Sequence, residues 1–156
     1  MRIGYTMSSP PASVSPDASL AEAARHMAAA HVGALPVVLD DDRVIGMITD
    51  RDLVVRALAP GLPPGTRVET VMSLDPVTVD ADTPLPAALH AMRSIDARHL
   101  PVTEHGRLAG MVSLDDLLCH LAAQLGELAA LVDAARSAPH TAERTAGAQR
   151  QVRPGS

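Results

Sequence analysis

The stretch GMITDRDL, Gly46 to Leu53, is written a second time in weaker form as GMVSLDDL, Gly110 to Leu117. Each copy carries a glycine in a β-rich run, ends that run on a hydroxyl residue (Thr49, Ser113) and sets an aspartate three residues later (Asp52, Asp116). Outward from the octets, Leu20, Ala23 and Met27 correspond to Leu85, Ala88 and Met92, and the LPV of Leu35 to Val37 corresponds to the LPV of Leu100 to Val102. The chain is an internal duplication. Its period of about 65 residues exceeds that of the common solenoid repeats, and two copies predict a pseudo-twofold pair, not an open array.

Each copy runs in the same order. An extended lead-in (Ala12 to Val14, Val77 to Val79) precedes a helix with apolar residues at helical spacing: Leu20, Ala24, Met27, then Leu85, Leu89, Met92. Ser19 with Glu22 forms a capping-box pattern, and Thr83 followed by Pro84 predicts a cap and a proline at the first helical position. Two β-runs then form a hairpin around Asp40 to Asp42 in one copy and around His105 and Gly106 in the other, with Pro36 and Pro101 near strand starts. A second helix starts at Thr49 and at Ser113. The Pro- and Gly-rich joint APGLPPGT, Ala59 to Thr66, separates the halves. The expected division is 1–64 for the first repeat with its N-terminal segment, 65–125 for the second, 126–136 for a helix extension and 137–156 for a polar, disordered tail.

TDRD and SLDD read in two ways. A hydroxyl residue with an acid three positions on is the capping box and needs no ligand. A helix starting directly off a strand also offers unpaired N–H groups and a positive dipole end to a phosphate. Gly46 and Gly110 would let a flat ligand approach the backbone, and a first-turn carboxylate can accept both hydroxyls of a ribose. On that reading the octet is a nucleoside phosphate site.

The order PDASLAEAARHM, VGALPVV, VIGMITDRDL, repeated as ADTPLPAALHAM, ARHLPVT, LAGMVSLDDL, resembles a tandem pair of CBS domains, the cystathionine-β-synthase motif that binds adenosyl nucleotides. The resemblance covers about residues 5 to 122 and is most similar to short proteins carrying only a CBS pair, including the actinobacterial hypoxic-response type. It implies an α/β (α+β) fold of two β-α-β-β-α repeats packed by their sheets, with up to two nucleotide clefts and further association into dimers. Carried over, Thr49 would hold phosphate, Asp52 the ribose hydroxyls, and Arg51 added charge, with Ser113 and Asp116 equivalent in a second cleft. The adenine wall would come from Ser13, Val14, Gly33, Ala34, Leu35 and Pro36 in one half, and from Thr78, Val79, His99, Leu100 and Pro101 in the other. Asp115, where the first copy has Arg51, should weaken polyphosphate binding in the second cleft. Arg98 stands between a phosphate role and a solvated surface arginine.

Composition narrows the alternatives. With 47% hydrophobic but 1% aromatic residues, Tyr5 being the one ring besides histidine, base-stacking platforms are missing. A net charge of −5 and no basic run argue against nucleic acid. The seven histidines show neither the i,i+4 pair nor the Cys/His framework of zinc sites, so no metal is expected. No nucleophile motif or phosphate loop points to an enzyme. Cys119 lies in an apolar helical pattern and reads as a buried thiol. No secretory h-region and no apolar window of membrane-spanning length stand out, so a soluble cytoplasmic protein is expected. Leu114, Leu118, Leu121, Leu125, Leu128 and Val132 form a heptad seam outlasting the repeat, which favours a homodimer contact. The expectation is a non-catalytic sensor of AMP, ADP or ATP acting through a homodimer or an unknown protein partner. The alternative is a ligand-free interaction or stress-response scaffold.

Overall fold

The computed structural model describes residues 1–138; the expectation for the tail lies, from residue 139, outside the described residues. Helix α1 (Leu20–Ala30) starts on the anticipated capping box. Ser19 Oγ accepts the Glu22 N–H at 3.1 Å, and the Glu22 carboxylate accepts the Ser19 N–H at 2.7 Å. The Ser19 backbone N–H first, and the Ser19 hydroxyl second, hold the Glu22 carboxyl below its ordinary range. The stabilisation is therefore present above the ordinary carboxylate range and is lost as pH falls through the lowered value. His31, in the left-handed region at φ 54°, ends the helix.

The first hairpin joins β1 (Ala34–Val38) to β2 (Val44–Thr49), antiparallel, with Ala34 opposite Thr49. Its turn uses Asp42 at φ 63° and the Asp41 carboxylate, which accepts the Arg43 N–H at 3.2 Å. A single α-turn, α2 (Asp50–Asp52), follows and widens over Leu53–Leu58 into π-helix, where Ala59 N–H reaches back five residues to Val54 at 2.9 Å. Strand β3 (Ser73–Leu74) then pairs antiparallel with β2.

The second half repeats the plan. Strand β4 (Val79–Asp80) pairs parallel with β5 (His99–Glu104), which pairs antiparallel with β6 (Arg107–Ser113). Between them lies α3 (Leu85–Ser94), which begins one residue later than anticipated: Pro84 is the cap residue, extended at ψ 146°, and makes no side-chain cap. The N-terminal segment holds it there, since Arg2 bridges Pro84 and the Leu85 N–H donates to the Met1 carbonyl at 3.0 Å.

Packing does not follow chain order. Ile3, before the first repeat, is fully buried in the core of the second half, with Ala88, Met92, Leu100, Val102, Val112 and Leu117. Val68, Val71 and Met72, at the start of the second repeat, complete the core of the first half, with Leu20, Ala23, Met27, Leu35 and Ile48. The duplication therefore reaches further upstream, Arg2, Ile3, Met7 and Ser8 matching Arg67, Val68, Met72 and Ser73. Ser8 bridges Met111 of β6 as Ser73 pairs with Met47 of β2. The halves are tied together by two exchanged segments.

These segments also account for Gly46 and Gly110. A Cβ on Gly46 would lie 2.7 Å from the Met72 sulfur and 2.8 Å from the Ser73 carbonyl, and one on Gly110 would lie 2.6 Å from the Met7 sulfur and 2.8 Å from the Ser8 carbonyl. The glycines serve strand packing, which corrects their reading as ligand clearance. Gly46→Ala is expected to cost about 1–3 kcal/mol by overpacking, read as a lower thermal midpoint, with nucleotide affinity unchanged at temperatures where the variant is folded.

Helix α4 (Leu114–Ser137) passes from one compact unit, Met1–His120, into a second that opens at Leu121. Gly126 does not break it. Two expectations are corrected here. Cys119 is exposed, because Leu117 takes the inward direction and a residue two positions on lies about 200° around the helix. The uninterrupted helix is also long and apolar enough, by length and composition only, to cross a bilayer.

Candidate functional site

Two clefts lie where the exchanged segments cross between the sheets. After Ser73 and Leu74 leave the first sheet, Pro76 and Val77 run over a cleft of about 520 Å³ before Val79 joins the second sheet. Thr49, Asp50 and Arg51 at the end of β2 and Gly33 and Ala34 at the start of β1 line it from one half. The other half contributes Ile95, Asp96, Ala97, Arg98, His99 and Pro101. By the same pseudosymmetry Pro11 and Ala12, between Ser8 and Val14, run over a cleft of about 400 Å³ with Ser113, Asp115, Asp116, His31 and Val32. Gly33, Ala34 and His99 line both clefts. Both volumes suit a small-molecule site.

Thr49, Arg51, Gly33 and Ala34 thus meet in the first cleft, joined by His99 and Pro101 from the opposite half. Ser113, Asp116 and His99 meet in the second. Leu35 and Leu100 point into the two cores with no exposed surface, Val14 is buried beside Leu35, and Pro36 is also enclosed. Alternation along a strand turns Leu35 and Leu100 away from the clefts, whereas Pro36, on the same face as Ala34, is enclosed and lines neither cleft. Val79 packs on the second core. Ser13 lies instead on a surface hollow beside His26, whose Nδ1 is 3.2 Å from the Ser13 carbonyl. Thr78 is exposed on the crossing segment and lines neither cleft.

Sequence reasoning missed Asp50, Pro76, Val77, Ile95, Asp96 and Ala97 in the first cleft, and His31, Pro11 and Ala12 in the second. The upstream match of Arg2 to Ser8 with Arg67 to Ser73 was the signal that could have found the crossing segments. Asp50 is held against Gly33: its N–H donates to the Gly33 carbonyl at 2.9 Å, and a Cβ on Gly33 would stand 2.9 Å from its carboxylate.

The octet itself forms a tighter unit than a simple cap. Asp52 Oδ2 accepts both the Thr49 N–H at 2.9 Å and the Thr49 hydroxyl at 3.0 Å, while that hydroxyl accepts the Asp52 N–H at 3.1 Å. Ser113 and Asp116 repeat this with 3.2, 2.6 and 3.0 Å. The N–H groups of Asp50, Arg51 and Asp52 all have partners, Arg51 donating to Asp50 Oδ1 at 2.7 Å. The expected unpaired N–H groups at this helix start are therefore not found, because local side chains and Gly33 take them. Anion binding would fall to side chains, and the first cleft holds two arginines, Arg51 and Arg98. Arg98 pairs with Asp115 of the second cleft at 3.1 Å, with both groups largely exposed.

The CBS domain family model matches residues 2–58 and 68–123, and the chain belongs to that family. It is 39% identical over 104 residues to Hypoxic response protein 1 of Mycobacterium tuberculosis, covering 66% of this chain and 73% of that one. Among solved structures, Hypoxic Response Protein I with two coordinated zinc ions superposes at a TM-score of 0.72 with 34% identity, over 77% of this chain and 98% of that one. PAE2072 from Pyrobaculum aerophilum, complexed with AMP, superposes at 0.70 with 27% identity, over 79% and 99%. The chain spans between about two-thirds and three-quarters of the length of the curated relatives it matches first. Among the described residues no group of three or more His, Cys, Asp or Glu side chains is placed to hold a metal.

Proposed function

We propose that the chain is a non-catalytic regulatory module that binds an adenosine nucleotide of the AMP, ADP or ATP type, chiefly in the Thr49 cleft. The observation that carries this reading is the pair Arg51 and Arg98, set across a largely apolar cleft that also presents the Thr49 hydroxyl. The apolar wall suits a base, and the guanidinium groups suit a phosphate. The AMP complex of PAE2072, on the same fold, supports it. Binding would be felt by both halves, because Pro76 and Val77 belong to the segment that ties them. Calorimetric titration of the full chain with AMP, ADP and ATP tests the proposal: saturable binding is expected, and silence from all three overturns it.

One observation favours the scaffold reading, namely that Asp52 Oδ2 is already fully used by Thr49. Asp52, predicted as the ribose contact, is not among the residues lining the Thr49 cleft, and only its Oδ1, 3.8 Å from Arg56, would be left to accept a ribose hydroxyl at the cleft's edge.

The clefts are proposed to be unequal. Asp115 and Asp116 in the second cleft oppose a phosphate where Arg51 would attract it. Asp115→Arg is expected to raise the AMP stoichiometry from one towards two per chain, since it restores the positive side chain present in the first copy. An isotherm still fitting one site would show that residue 115 does not set the inequality.

A further inference from the structure

Arg98 faces the first cleft but is engaged on the side of the second. Its Nη2 donates to Asp115 Oδ1 at 3.1 Å; of the two clefts, Arg98 lines the first and Asp115 the second. The backbone fixes these residues beside each other, since the Leu114 N–H donates to the Arg98 carbonyl at 2.8 Å. The guanidinium is therefore the movable part. The first half holds no counterpart of this pair. Its equivalent backbone bond runs from the Asp50 N–H to the Gly33 carbonyl, so glycine stands where Arg98 stands and Arg51 where Asp115 stands. Arg51 makes no ion pair among the described residues.

A phosphate in the first cleft and the Asp115 carboxylate would compete for the same guanidinium. A bidentate grip on phosphate uses two parallel N–H groups of the planar fork, and turning that edge to the first cleft takes Nη2 off Asp115. The pair is weak enough to give way. Its side chains are 67% and 76% exposed, and an exposed pair changes an equilibrium by no more than about fivefold. That change would be felt in a cleft that Asp115 does not line. We infer that Asp115 is a positioning residue for the first cleft: from the second cleft it holds Arg98 back, and its release tightens phosphate binding in the first. The inference rests on the nucleotide reading of the Thr49 cleft. Linkage makes it reciprocal, so a cationic group pairing with Asp115 in the second cleft would strengthen phosphate binding in the first, and a phosphate there would favour the cation.

Calorimetry with AMP on the full chain tests it in a cycle of wild type, Asp115→Asn, Arg98→Ala and the double variant. Asp115→Asn is expected to tighten the site by about two- to fivefold. The stoichiometry should stay at one, because asparagine does not supply the positive side chain of the first copy. Both side chains are exposed, so the thermal transition should be unchanged, which separates release of Arg98 from a change in the fold. In the Arg98→Ala background, where Arg51 still lines the cleft, Asp115→Asn should have no effect. Equal affinity of wild type and Asp115→Asn would overturn the inference. A gain that persists without Arg98 would overturn it too, by showing that residue 115 acts through its general field. No AMP binding in any of the variants or the wild type would remove the nucleotide reading and the inference with it.

Discussion

Asp52→Asn is expected to weaken AMP binding at the Thr49 cleft at least tenfold, about 1.4 kcal/mol. Asparagine keeps the shape of aspartate and can still accept the Thr49 N–H, so the cap survives. What it lacks is the negative charge that makes a bond from a ribose hydroxyl to Oδ1 strong, a bond worth about 1.5–3 kcal/mol. Asp52→Ala is a poorer probe, because cap loss alone costs about 0.5–2 kcal/mol and confuses stability with affinity. Calorimetry with AMP should therefore be run beside a thermal melt of the Asn variant. A large loss of affinity with a small shift in the melt assigns Asp52 to the ligand. Unchanged affinity would return the octet to a helix cap and leave Arg51 and Arg98 to be tested alone.

The largest stability effect is expected at the other end of the chain. Ile3→Ala should destabilise the fold by about 2–5 kcal/mol, lowering the melting midpoint by on the order of 10 °C. Ile3 has no exposed surface and sits among Leu100, Val102, Val112 and Leu117, so truncation opens a cavity in the second-half core. Its neighbour Tyr5 is 82% exposed, and Tyr5→Ala should stay within about 0.5 kcal/mol of wild type. A melt unaffected by Ile3→Ala would mean that the N-terminal segment does not complete the second half. The same truncation bears on function, because the segment it loosens continues through Pro11 and Ala12 over the second cleft.

The exchanged segments give the pseudo-twofold pair a mechanical consequence. Each crossing segment belongs to the sheet it has left, to the cleft it covers and to the sheet it joins next. On the proposed reading, a ligand under Pro76 and Val77 would touch the connection between the halves.

Much of this was legible in the residues. The 3.6-residue spacing of Leu20, Ala24 and Met27, the box of Ser19 with Glu22 and the repeated LPV runs are local patterns, and local patterns determine helices, strands and the duplication. Thr49, Arg51, Ser113 and Asp116 were visible as candidate cleft residues for the same reason, since strand, turn and helix start lie adjacent in the chain. The tertiary structure alone decided which half completes which cleft. Pairing Ser73 with Met47 of β2 and Ser8 with Met111 of β6 depends on contacts between residues far apart in the chain, and only those contacts reveal that Gly46 and Gly110 make room for a backbone and a methionine. It also decided the direction of side chains on a strand buried on both faces, where Leu35 and Leu100 pack inward and no alternation of polar residues marks the cleft side.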